Sequence, residues 1–197
     1  MTPILLGIVA LLVIVVVLVV LTYNTLVTLR NRYRNAFSQI DVQLKRRYDL
    51  IPNLVEAVKG FMAHERQTLE AVIQARGAAM NASSAASASP GDPMLLAPLF
   101  GAESMLMGAI GRFRMLAEAY PELKADKSAV ALMEELASTE NRIAFARQAY
   151  NDSVLGYNTK RQTFPTNLIA GAMGFVSEVP MFQVDDAQRG AVEVKLG

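Results

Sequence analysis

The sequence predicts an all-α protein: an N-terminal transmembrane helix continuous with an up-down-up-down bundle of four long helices, followed by a short irregular or β-hairpin tail. Three observations carry this. Residues 4–21 form an apolar run interrupted only by Gly7, long enough to cross a hydrocarbon core of about 30 Å. Beyond it, apolar side chains recur at spacings of three and four over most of the chain, the mark of amphipathic helices. Beyond the span, strong breakers are few, at Pro52, residues 81–93, Pro98, Tyr120-Pro121, Phe164-Pro165 and Pro180, which divides the chain into long helices rather than many short ones.

The anchor comes first. Met-Thr-Pro supplies no basic n-region and no Ala-x-Ala follows the apolar run, so an uncleaved span is expected rather than a signal peptide. Arg30, Arg32 and Arg34 follow the span directly, and basic flanks stay on the cytoplasmic side. The expectation is a single-pass protein, N-terminus outside and bundle cytoplasmic. Residues 1–23 are the anchor, 24–162 the bundle, and 163–197 a membrane-proximal apolar segment and tail.

Leu26, Leu29, Tyr33, Phe37, Ile40 and Leu44 continue the helix as an apolar stripe. Residues 41–61 then read as a corner. Asp49 can accept from the free N–H groups of a new helix, and Pro52 would fall in its first turn, where a missing N–H costs nothing. The second helix carries Ile51, Leu54, Val58, Phe61, Leu69 and Val72 to about Met80. Residues 81–93, NASSAASASPGDP, offer little apolar area to offset ordering, and read as a helix extension plus loop or as a flexible connection.

Asp92-Pro93 is a helix start, although Pro98 argues for a later start or a kink. Leu99, Leu106, Ile110, Phe113 and Ala117 share one face of the third helix; its methionines read as adaptable packing. Asp126 or Ser128 caps the fourth, which runs to about Gln162 with Met133, Leu136, Ile143, Val154 and Tyr157 inward. Residues 179–184 and 191–196 are candidate strands around a turn. With the corner near Tyr48 distal, Lys160, Arg161 and the apolar residues 168–176 return toward the headgroups.

Composition excludes several functions. The 197 residues carry a net charge of +1, which gives nucleic acid no footing. There is no cysteine, hence no disulfide framework, thiolate metal site or cysteine-linked lipid. His64 is the sole histidine, so the paired Glu-x-x-His ligands of a carboxylate-bridged metal bundle cannot be assembled. No phosphate loop is present, since residues 101–111 lack the Lys-Ser/Thr ending, and no nucleophile–base pair is evident. No cofactor and no enzymatic activity are expected.

What remains is a set of polar residues in phase with the apolar stripes. Glu65, Glu140, Arg147, Asn151 and Asn158 are expected to form a structural polar network; Tyr150-Asn151 and Tyr157-Asn158 repeat at a seven-residue step and face one side. Fixing helix register is a simpler account of such a set than chemistry. Lys45, Arg46, Arg47 and Asp49, at the expected corner, form a candidate partner surface.

The blocks IDVQLKRRYDLIPNLVEAVKGF (40–61), HERQTLEAVIQAR (64–76), EAYPELKAD (118–126), ENRIAFARQAYNDSVLGYN (140–158) and FPTNLIAG (164–171) give the chain a resemblance to the LemA family of bacterial membrane proteins, over residues 22–182. The resemblance implies an N-terminal anchor in the bacterial inner membrane and a cytoplasmic long-helix bundle. It supplies no catalytic residue, because the family has no established activity. Residues 81–108 and the tail after Phe182 follow no family pattern. The function expected is a non-enzymatic membrane scaffold, in membrane organisation or envelope stress, with lipid and further copies of itself as partners. The alternative is a membrane-tethered adaptor or regulator that binds another protein through the bundle surface.

Overall fold

The computed structural model describes residues 2–182. They are almost wholly helical, and no strand occurs among them. Four long helices dominate: α1 (Thr2–Val58), α2 (Arg66–Ala88), α3 (Pro93–Ala117) and α4 (Lys127–Gln162), with a short α5 (Thr166–Ile169). Single 3-10 turns, Ala63–Glu65 and Pro121–Lys124, fill two of the connections.

Helix α1 has 57 residues, about 85 Å at 1.5 Å per residue. No residue before Thr22 is buried, so the apolar run stands clear of the rest of the protein. From Leu26 the stripe is covered: Leu26, Tyr33, Phe37, Ile40, Leu44 and Tyr48 are all at most 4% exposed.

The corner expected at residues 41–61 is not where the chain turns. The stripe continues in phase through Ile51, Leu54 and Val58, and α1 runs with it to Val58. Pro52 therefore sits inside a helix, where its ring leaves the carbonyl of Tyr48 without the usual N–H donor. Arg76 of α2 fills that gap, its Nε donating to the Tyr48 carbonyl at 2.5 Å. A proline tolerated in this way needs no helix end, and Asp49 caps nothing. The reversal comes at residues 59–62, where the N–H groups of Phe61 and Met62 both reach the Val58 carbonyl.

Residues 81–88 are helix, extending α2 to Ala88. Their small side chains are what make this possible. Ala79 and Ala86 are fully buried, and Ser83 and Ser87 donate to Asp41 Oδ1 at 3.1 and 2.8 Å. Lys45 takes the other oxygen of Asp41 at 2.7 Å. The turn into α3 passes over Tyr33, where Gly91 has φ +102° and a Cβ would come within 2.8 Å of the ring. Only glycine fits there.

Asp92 caps α3, accepting from Met94 N at 2.9 Å, and Asp126 caps α4, accepting from Ala129 N at 2.8 Å. Pro98 neither delays nor ends α3. The carbonyl it frees belongs to Met94, in the exposed first turn of the helix, where a missing intrahelical donor costs little because the position is open to solvent.

Contacts fix the directions. Tyr33 meets Tyr157, Phe37 meets Tyr150 and Arg46 pairs with Glu135, so α4 descends beside α1. Tyr48 lies against Ala79 and Asp41 against Ser83, so α2 also descends. After Gln162 the chain turns, and residues 176–182 run back up along α4 without forming a strand. The expected second strand, 191–196, lies outside the described residues.

Candidate functional site: a buried charged centre and an asparagine-clamped tail

Where the four long helices meet, one carboxylate gathers three donors. Glu103 of α3 is 1% exposed. Its Oε2 accepts from Arg47 Nη2 of α1 at 2.5 Å and from Arg147 Nη2 of α4 at 2.7 Å. Its Oε1 accepts from the Tyr48 hydroxyl at 2.7 Å. The Ala79 carbonyl of α2 lies 3.2 Å from the same hydroxyl, which has a single proton and gives it to the nearer, charged acceptor.

Two arginines share one buried carboxylate, and the Nε of each is buried without a hydrogen-bond partner among the described residues, so close geometry at Glu103 must offset the desolvation cost. The aromatic rings help: Arg147 lies 5.0 Å from the centroid of Phe182, and Arg47 lies 5.8 Å from that of Tyr48. Burial and the neighbouring Glu103 anion push the Tyr48 phenol well above its usual range, so it stays protonated as a donor. Burial lowers Arg147, and the Glu103 charge opposes that shift. The centre ties α1, α3 and α4 together through these bonds.

The second constellation lies just below, along α4. Asn158 Nδ2 donates to the Val179 carbonyl at 2.9 Å while its Oδ1 accepts from Val179 N at 3.1 Å. Seven residues on in the direction of the core, Asn151 does the same to Phe182, with both bonds at 2.9 Å. Two turns of helix rise about 10 Å, which equals three residues of extended chain. The seven-residue step in α4 and the three-residue step in the tail therefore match. Tyr150 adds a bond to the Pro180 carbonyl at 3.2 Å, and Phe182 packs on Phe100 and Tyr150.

The residues expected to form one network thus divide into four. Arg147 belongs to the charged centre. Asn151 and Asn158 belong to the tail clamp, joined to the centre through Phe182. Glu140 pairs with Arg114 at 2.7 Å on the α3–α4 surface. Glu65 accepts from the Tyr120 hydroxyl at 3.0 Å at the far end of the molecule, which raises that phenol. Of the expected partner surface, Lys45 and Arg46 are exposed side chains in ion pairs, and Asp49 is exposed. Arg47 is 1% exposed and so is removed from that surface: it lies in phase with the stripe and its charge is spent on Glu103.

Glu103 itself escaped the sequence reading. The signal was there: it is the sole acidic residue of α3, set between Leu99 and Leu106 on the buried face.

An apolar helix of membrane-crossing length, running unbroken into an all-helical body pinned by a buried charged centre, has the form of a single-anchor helical membrane protein. α3 is also long and apolar enough to span, but it is packed on α2 and carries the centre's carboxylate. The model of the LemA family matches residues 36–196, and the chain belongs to that family. It is 26% identical to Protein LemA of Metamycoplasma hominis, over 86% of this chain and 73% of that one. It is 27% identical to magnetosome protein MamQ 2 of Paramagnetospirillum magneticum and 24% identical to MamQ of Magnetospirillum gryphiswaldense. Each of those two matches covers 78% of this chain and 62% of the relative, so the chain spans less than two thirds of their length.

Proposed function

We propose that this protein is a non-enzymatic scaffold of the bacterial inner membrane. Its N-terminus lies outside, its four long helices form an up-down-up-down bundle in the cytoplasm, and it assembles with copies of itself. The observation that carries the reading is the outer face of α3. Met94, Met105 and Met115 are 81%, 63% and 67% exposed there, and Gly101 meets nothing within 4 Å. Methionines beside an open glycine make an apolar, adaptable surface that a second helix can approach closely. Kinship with proteins named for the magnetosome fits a role in organising membrane. Closed symmetric assembly is the usual outcome for such subunits.

The test is size. Full-length protein extracted in mild detergent and in native membrane particles is expected to run as one uniform oligomer, and Met105→Glu to shift it toward monomer. Wild-type protein monomeric in both preparations ends the scaffold reading. A second reading, the tethered adaptor, is favoured by a groove of about 730 Å³ at the far end, floored by Val55, Met62, Leu69 and Ile73 and rimmed by Lys59, Arg66 and Glu70.

A further inference from the structure

We infer that residues 164–176 form a second membrane contact: a turn that inserts into the interface of the leaflet from which α1 emerges. The height of this turn is set by its own packing. Phe175 is buried with its ring edge-on to Tyr23, centroids 5.8 Å apart, and Arg30 lies 5.2 Å from its centroid. Tyr23 is two residues past the end of the apolar run, at the level where aromatic side chains mark the membrane boundary. Arg161 ties the turn down, donating to the Val176 carbonyl at 3.1 Å.

From that height the turn points large apolar side chains outward. Phe164, Leu168 and Val176 are 79%, 71% and 71% exposed, while Thr166 and Ala170 between them are buried. Within the apolar run only Val19 loses exposure, and Thr22 just after it is buried, so protein covers one side of the end of the span while Val20 and Leu21 stay exposed. Three exposed apolar side chains on one short turn would be an anomaly in water. At the edge of a bilayer they have an occupant: the headgroup–acyl boundary, into which an apolar face sinks by roughly 5–10 Å. Lys160 and Arg161, in the last turn of α4, stand beside it, suited to lipid phosphates. The bilayer is chosen over a protein partner because the patch is continuous with the span itself.

The chain contains no tryptophan, so one introduced tryptophan reports from one place. Leu168→Trp and Phe164→Trp are made in the full-length protein, with the exposed mid-α4 residue Phe145→Trp as the aqueous control and Leu12→Trp as the buried-in-lipid control. Each is reconstituted in phosphatidylethanolamine–phosphatidylglycerol vesicles with or without dibrominated acyl chains. Leu168→Trp and Phe164→Trp are expected to emit to the blue of Phe145→Trp and to lose most of their emission in brominated vesicles, with bromines near the headgroup quenching more than bromines near the chain end. Leu12→Trp follows the opposite depth order. Emission from Leu168→Trp that matches Phe145→Trp overturns the inference in favour of water. Blue-shifted but unquenched emission overturns it in favour of protein cover, such as a second copy. Neither outcome depends on the size of the extracted particle.

Discussion

Glu103 holds three helices with two oxygens, and its removal leaves two buried arginines without a counter-charge. Glu103→Ala is expected to destabilise the detergent-solubilised protein by about 3–5 kcal/mol, the usual cost of stranding a buried ion. The exposed Glu134→Ala provides the baseline in thermal melts followed by circular dichroism. Replacing all three ions with apolar side chains of similar volume, Arg47→Met, Glu103→Leu and Arg147→Met, is expected to recover most of the loss. Glu103→Ala melting with the baseline would show that the centre is not a charged keystone. At this scale the sequence was half legible. Arg147, Asn151 and Asn158 stand out because they are polar and in phase with Ile143, Tyr150 and Val154. Their partners lie 31 and 44 residues away for Phe182 and Glu103, and periodicity along one helix carries no information about what faces it.

The starts of α3 and α4 were the most readable helix ends. Asp92 and Asp126 announce α3 and α4 because a cap is a local event, settled within three residues. Pro52 misled for a matching reason: proline's local cost is plain, but what offsets it is Arg76, which lies on another helix. The Ser/Ala stretch of α2 left two readings open, and the helix extension is the one that forms, since small residues that bury little still allow close approach when Asp41 waits to accept. A double-mutant cycle tests the proline account. Arg76→Leu is expected to cost about 1–3 kcal/mol by leaving the Tyr48 carbonyl unsatisfied. In a Pro52→Ala background, where residue 52 regains its N–H, the same change should cost about 1 kcal/mol less. Additive effects would mean that Arg76 stabilises the helix for some other reason.

For the whole molecule, the proposed orientation rests on Arg32 and Arg34, both exposed, and Arg30, engaged with Phe175. The expected outcome is that protease added to intact spheroplasts leaves the helical body untouched, whereas lysed cells allow cleavage at the connections. Digestion of intact spheroplasts at residues 89–93 would invert the assignment. The general outline, an apolar helix feeding a set of long helices, was legible because it depends on composition and period alone. How the tail returns was not, because it hangs on two side chains reading main-chain groups. One feature of the outline is its reach. Helix α1 continues unbroken from Thr2 to Val58, and about 55 Å of it stands beyond Thr22. A tilt of about 10° would sweep a straight extension of that length sideways by roughly 10 Å. Any tilt taken up at the bilayer would reach the far end of α1 as a displacement as wide as a helix.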